Sequence, residues 1–242
     1  MNANKIFCIG LSRTGTTSIA EELESLGIKS IHYPSSLLFF QEAINKELKF
    51  QETVKKSAYN RWRFNKELKA QREFKPAEKV LNTYQAFADL PIPYLYKFLD
   101  KKFPGSKFIY TYRTEKGWLK SMKWMLEDGR IMWNWGHSDD EILKTIYGTI
   151  NYDEQKLKDA YRKHDTEVRQ YFLNRKNDIL FIDIENDKGI MQKIGEFLNV
   201  PVISEDMRKS NKAQSVSRGK KFIYHFDRKL PLLFLLKRLI KI

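Results

Sequence analysis

Gly10 and Gly15 stand five residues apart in the stretch KIFCIGLSRTGTTS, with Arg13 between them and Thr16, Thr17 and Ser18 directly after. The spacing is the G-x-x-x-x-G frame of a phosphate-binding loop. Such a loop turns several backbone N–H groups and a helix N-terminus toward one anion, and small hydroxyl residues add donors with little bulk. In loops that use ATP, a lysine at the position of Thr16 reaches the outer phosphates and the next Ser or Thr holds Mg²⁺. Here the cation is Arg13, inside the loop. A guanidinium fork suits a tetrahedral anion in bidentate fashion. A sulfuryl group carries less charge than a terminal phosphoryl group, so it needs less neutralisation and no metal. The loop therefore suits a phosphosulfate better than a magnesium triphosphate. The competing reading, a glycine-rich turn without a ligand, is disfavoured by the loop's place directly after the first strand.

A second constellation lies in KFIYTYRTEKGWLKSM, where Arg113 ends a strong strand and Ser121 follows eight residues later in a helix. Both side chains could approach one anion near the loop. Alternatively, Arg113 only ends a strand and Ser121 is a surface residue. Two proton acceptors are in reach of the same edge. Asp89 ends a strand before Pro91, and His32 ends another. Asp89 reads equally as a general base or as a helix N-cap. His32 reads as a base or as a hydrogen-bonded, half-buried histidine. His137, His164 and His225 show no metal-ligand spacing, so no metal is assigned.

These residues need elements to place them. KIFCIG is a near-continuous apolar run, as in a parallel strand buried on both faces. TSIAEELESLG places Ile19, Leu23 and Leu26 on one helical stripe that stops at Gly27. KSIHY is a second strand. A strand ending near Asp89, a helix over 92–103, the strand SKFIYTY, the helix GWLKSMKWML, the strand NDILFIDI and the helix GIMQKIGEFLNV continue the alternation. The pattern predicts one α/β domain over 1–242, a three-layer, P-loop-like parallel sheet flanked by helices. Residues 36–85 and 124–175 break the alternation and read as helical insertions over the carboxyl ends of the strands, where α/β sheets bind ligands. In the second of these, MWNWGH (132–137) either lines an acceptor pocket or packs a loop.

The chain has 242 residues, of which 42% are hydrophobic and 31% charged, which excludes wholesale disorder. Its formal net charge of +14 favours anionic partners without choosing among them. Cys8 is the sole cysteine, which rules out an intrachain disulfide and a multi-cysteine zinc site. No apolar leader precedes the first strand, so the cytoplasm is the expected location. KLPLLFLLKRLIKI (229–242) is too short to span a bilayer and reads as a packing segment, or as an interfacial helix making a peripheral membrane contact.

Together, GLSRTGTTS and YRTEKGWLKSM resemble the sulfotransferases that use 3′-phosphoadenosine 5′-phosphosulfate (PAPS). The match is closest to the bacterial and lower-eukaryote branch with an R-T-G-T-T-S loop, through His32-Tyr33, Asp89-Leu90-Pro91, YRKHDTEVRQYF and LNVPV. The resemblance covers about residues 5–33 and 86–202. It implies that Arg13, Thr14, Gly15, Thr16, Thr17 and Ser18 bind the 5′-phosphosulfate. It implies that Arg113 and Ser121 bind the 3′-phosphate, and it offers Arg218, in the basic segment KAQSVSRGKK, as a further 3′-phosphate ligand. That segment taken alone reads as a solvated basic loop. Asp89, His32 and Arg13 are the implied catalytic set, with adenosine 3′,5′-bisphosphate (PAP) as product and no metal. The acceptor is a hydroxyl, or an amine, of a small alcohol or glycan. The alternatives are a P-loop kinase, disfavoured by Thr16 and the lack of an evident Mg²⁺-holding Asp, and a non-enzymatic binder of nucleic acid or acidic glycan driven by the basic 36–85 segment, which leaves the pairing of Gly10–Ser18 with Arg113 and Ser121 unexplained; the sulfotransferase reading expects no nucleic-acid partner.

Overall fold

In the computed structural model, residues 5–34, 77–133, 137–202 and 215–229 are described. Five strands, β1 (Ile6–Cys8), β2 (Ser30–His32), β3 (Ala86–Ala88), β4 (Lys107–Tyr112) and β5 (Ile179–Asp183), form one sheet in the order β2-β3-β1-β4-β5. Every pairing is parallel. Helix α1 (Thr16–Ser25) joins β1 to β2. Helices α2 (Ala77–Thr83), α3 (Ile92–Lys102) and α4 (Glu115–Trp124) follow in chain order. Beyond α4 come a π-helical turn (Met125–Gly129), α5 (Arg130–Met132), α6 (His137–Tyr147), α7 (Glu154–Tyr171), α8 (Ile190–Leu198) and α9 (Arg218–Lys229).

The strands read as apolar runs because both faces are covered, and the two faces differ in side-chain size. Phe7, Phe87, Phe108 and Tyr110 point into one core with α3, α4 and α7. Cys8, Ala86, Ala88, Ile109 and Ile182 point into the other, where Ile19 and Leu23 of α1 and Ile190 and Ile194 of α8 meet them. Small residues on β1 and β3 let α1 sit close to the sheet, while the aromatic face fills a wider gap. Lys5 enters β1 with its ammonium donating to the carbonyls of Leu81 and Tyr84, at 2.7 and 2.8 Å, which ties α2 to the sheet.

The segment read as an insertion over 124–175 divides in two. The π-turn, the end of α5 and α6 send Met125, Trp133 and Leu143 to the cavity at the strand ends, but α7 lies along the aromatic face of the sheet. Asp153 caps α7 by accepting from the Lys156 amide, and the stripe Leu157, Tyr161 and Val168 is buried. Phe172 stacks 4.8 Å from Phe108, and Tyr110 donates to Asp165 at 3.0 Å. His164 donates from Nε2 to the Ile9 carbonyl at 2.8 Å, and burial holds its pKa below the usual value, so it serves the core as a neutral ring. Residues 35–76, most of the other proposed insertion, lie outside the described residues, as do 230–242. The stretch around Arg218 is the start of α9 rather than a loop, with Lys221 of that helix paired to Asp128. Among the described residues no helix is long and apolar enough to cross a membrane.

A partly buried ion pair fastens α3 to the end of α7. Asp100 accepts from Tyr171 at 2.7 Å and from both terminal nitrogens of Arg175 at 2.5 and 2.9 Å. Burial pushes the Asp100 carboxyl up, but the Arg175 and Tyr171 bonds outweigh it and hold the pKa below the ordinary value. Its stabilisation is therefore complete above the ordinary carboxylate pKa of ~4 and is lost as the pH falls through the lower folded value. Asp100→Asn is expected to lower unfolding free energy by about 2 kcal/mol at pH 7. In urea titrations across pH, the gap from wild type should close below pH ~4. A gap that persists there contradicts the ion-pair account.

Candidate active site

The loop after β1 is held from three sides. A Cβ on Gly10 would stand 2.0 Å from the Thr111 hydroxyl and 2.5 Å from its carbonyl, so only glycine lets the chain pass this close to β4. Ser12 is clamped by its backbone. Its carbonyl accepts from the Trp118 indole at 2.9 Å and its amide donates to the Tyr147 hydroxyl at 3.2 Å. Thr14 turns inward, donating to the Leu11 carbonyl at 2.7 Å and meeting the Thr111 hydroxyl at 2.8 Å. Gly15, with φ +86°, then starts α1 without a side-chain cap, so the helix opens its first-turn amides toward the loop.

Beside that helix end lies a cavity of about 770 Å³. It is lined by Arg13, Gly15, Thr16, Thr17, Ser18, His32, Asp89, Arg113 and Ser121. The order of the sheet explains the convergence. β1 lies between β3 and β4, at the point where the chain's crossovers change direction, and a crevice opens at the carboxyl ends of strands there.

Asp89 and His32 form a pair. His32 Nε2 is 3.1 Å from Asp89 Oδ2, 3.0 Å from the Thr17 hydroxyl and 3.3 Å from the Thr16 hydroxyl. The other Asp89 oxygen accepts from Ser12 Oγ at 2.6 Å. Burial pushes the Asp89 carboxyl up, but the charge and hydrogen bond of His32, the Ser12 hydroxyl and the Leu90 amide outweigh it and hold the group ionised. The capping alternative fails on geometry. Helix α3 is capped at Pro91 with no side-chain bond, and the Asp89 carboxylate faces the cavity instead.

Two guanidinium groups also line the cavity. Arg13 has φ +71°, donates from Nε to Ser121 Oγ at 2.9 Å, and lies 4.8 Å from the Trp124 ring and 5.9 Å from that of Trp133. The two indoles meet edge to face at 5.4 Å. Gly129 makes this possible, because a Cβ there would be 3.0 Å from Trp133 and 3.1 Å from Trp124. Arg113 donates from Nε to Glu185 Oε1 at 2.9 Å, and its NH2 group bonds the same oxygen. One of its NH1 hydrogens points to the Arg13 carbonyl at 3.5 Å.

The predicted residues thus gather with three differences. Arg113 and Ser121 share the cavity, but Ser121 contacts Arg13, not Arg113. Thr14 is part of the loop's scaffold and does not line the cavity. Arg218 is exposed at the start of α9 and is not among the lining residues. Four participants have no motif of their own. Ser12 and Glu185 carry no spacing signal, although Glu185 follows β5 at the same sheet edge that singled out Asp89 and Arg113. Trp124 and Trp133 were visible only as aromatics. Among the described residues, no group of His, Cys, Asp and Glu is arranged to hold a metal ion.

A family model described as "Sulfotransferase domain" matches residues 5–216. No curated protein matches the chain.

Ser12→Ala removes a donor from a buried carboxylate while leaving its backbone clamps in place. A hydrogen bond to a charged group contributes roughly 1.5–3 kcal/mol, and a loss in that range is expected in urea unfolding at pH 7. The loss should shrink in an Asp89→Asn background, since the two residues share one interaction. Strict additivity of the two substitutions would argue against the bond.

Proposed function

This chain belongs to the sulfotransferase domain family, and on that premise we propose that it moves a sulfuryl group from 3′-phosphoadenosine 5′-phosphosulfate to an acceptor hydroxyl. The observation that carries this reading is the convergence of these groups on one cavity. The start of α1, Arg13 and Arg113 line it together with the Asp89–His32 pair, whose imidazole reaches the Thr16 and Thr17 hydroxyls of that same helix end.

The donor's phosphosulfate takes the loop amides and the Thr16, Thr17 and Ser18 residues, with Arg13 against it. Its 3′-phosphate takes Arg113. In transfer, the acceptor oxygen forms a bond to sulfur as the bond from sulfur to the 5′-phosphate oxygen breaks. Negative charge grows on the departing phosphate, where Arg13 and the helix N-terminus offset it. The acceptor's proton passes to the Asp89–His32 pair. Asp89 is held ionised, so its carboxylate is available to accept that proton. The acceptor enters beside that pair, against Tyr33, Leu90, Met125, Trp133 and Leu143, a wall suited to an uncharged alcohol or to the apolar face of a sugar. No step requires a metal.

Two measurements test this. Asp89→Asn keeps the shape of the side chain and removes its charge, so turnover with PAPS should fall ~10²–10⁴-fold while binding of adenosine 3′,5′-bisphosphate holds. Turnover near wild type would remove Asp89 from the chemistry. Arg113→Ala should weaken calorimetric binding of adenosine 3′,5′-bisphosphate by roughly 1.5–3 kcal/mol and leave adenosine 5′-phosphate unaffected. Equal losses for both ligands would overturn the 3′-phosphate assignment, and preference for Mg–ATP over the bisphosphate would return the site to a kinase.

A further inference from the structure

Arg113 does not stand alone at the cavity edge, because a carboxylate from the next strand holds it. A guanidinium offers five N–H donors in a planar fork. Glu185 Oε1 takes the Nε–H and one N–H of NH2, and the Arg13 carbonyl faces one N–H of NH1. Glu185 therefore grips the group along its side, between Nε and NH2. The outer end of the group, between NH1 and NH2, lies away from Glu185 and is the bidentate edge for a phosphate.

The carboxylate is itself built in. Its other oxygen accepts from the Thr114 amide at 2.9 Å and from the Thr114 hydroxyl at 2.6 Å. That hydroxyl accepts from the Gly117 amide at 3.2 Å, as the N-cap of α4. Residue 117 must be glycine for this, because a Cβ there would stand 2.5 Å from Glu185 Oε1 and 2.8 Å from the Thr114 hydroxyl. The turn that carries Glu185 is fixed as well. Asp183 Oδ1 accepts from the Glu185 amide at 2.9 Å and from the Asn186 amide at 3.2 Å, and Asp187 accepts from the Asp183 amide at 2.9 Å.

We propose that Glu185 is the positioning residue that aims the outer edge of Arg113 into the cavity and so sets selectivity for a donor bearing a 3′-phosphate. The inference rests on the donor reading above. A carboxylate that merely competed with the phosphate would cover the outer NH1–NH2 edge, whereas Glu185 lies on the flank. A carboxylate that served only to cap α4 would have no need of Arg113, yet Oε1 is given wholly to it. Placing an anion near a phosphate site has a Coulomb cost. What it gains is a fixed direction for a long, otherwise rotatable side chain, so less entropy is lost when the ligand binds.

The test compares Glu185→Ala and Glu185→Gln with wild type by calorimetry, using adenosine 3′,5′-bisphosphate and adenosine 5′-phosphate. Glu185→Ala is expected to weaken the bisphosphate about tenfold or more and to leave the 5′-phosphate within about twofold. Glu185→Gln keeps an acceptor for Arg113 and should lose less than Ala. Unchanged or tighter bisphosphate binding in the variants overturns the inference, and so does an equal loss for both ligands, which is the mark of a purely structural role. If the wild-type protein fails to prefer the bisphosphate over the 5′-phosphate, the donor reading falls and takes the inference with it. A wild-type preference that the variants retain sinks the inference alone.

Discussion

A carboxylate buried at the end of β3 sets the terms for everything around it. An ionised group out of water is tolerable only if its oxygens are bonded and a positive partner is near. Asp89 meets that demand with Ser12 from the loop after β1, His32 from the end of β2, and the Leu90 amide next in its own chain. Ser12 can serve only because Trp118 of α4 and Tyr147 of α6 hold its backbone. One carboxylate thus links three strand ends and two helices. The backbone is bent to the same purpose. Arg13, Tyr33 and Asp89, following β1, β2 and β3, all take positive φ, at 71°, 56° and 66°. L-residues enter that region at a cost, so the conformations persist only where the surroundings fix them.

The layers were legible in the sequence because parallel strands buried on both faces leave a strong mark. Phe7, Phe87 and Phe108 on one face, and Cys8, Ala86 and Ala88 on the other, sit inside short apolar runs that read as inner strands through their alternation with helices and turns. The loop was legible because Gly10 and Gly15 have steric reasons to be glycine. Helix α7 was misplaced because a helix on a sheet and a helix over strand ends show the same stripe. Leu157, Tyr161 and Val168 say that a face is buried, not against what. Helical spacing puts Ser121 near the cavity with Arg113, but its contact with Arg13 depends on how β1 and β4 lie side by side, with Cys8 opposite Ile109. Glu185 left no local trace, since its role exists only where the ends of β4 and β5 meet.

The absent lysine follows from the same arrangement. The Thr16 hydroxyl lies 3.3 Å from His32 Nε2, so the position where ATP loops place an ammonium group adjoins the Asp89–His32 pair here. A lysine at that position would bring a second cation to Asp89, in competition with the imidazole, and would tie up the carboxylate that the pair depends on. Moving the loop's positive charge to Arg13 separates the two tasks. The indoles of Trp124 and Trp133 hold that guanidinium by its charge without cancelling it, which a carboxylate could not do. Arg13 and Asp89 then line one cavity with different partners, the guanidinium against two indoles and Ser121, the carboxylate against His32 and Ser12.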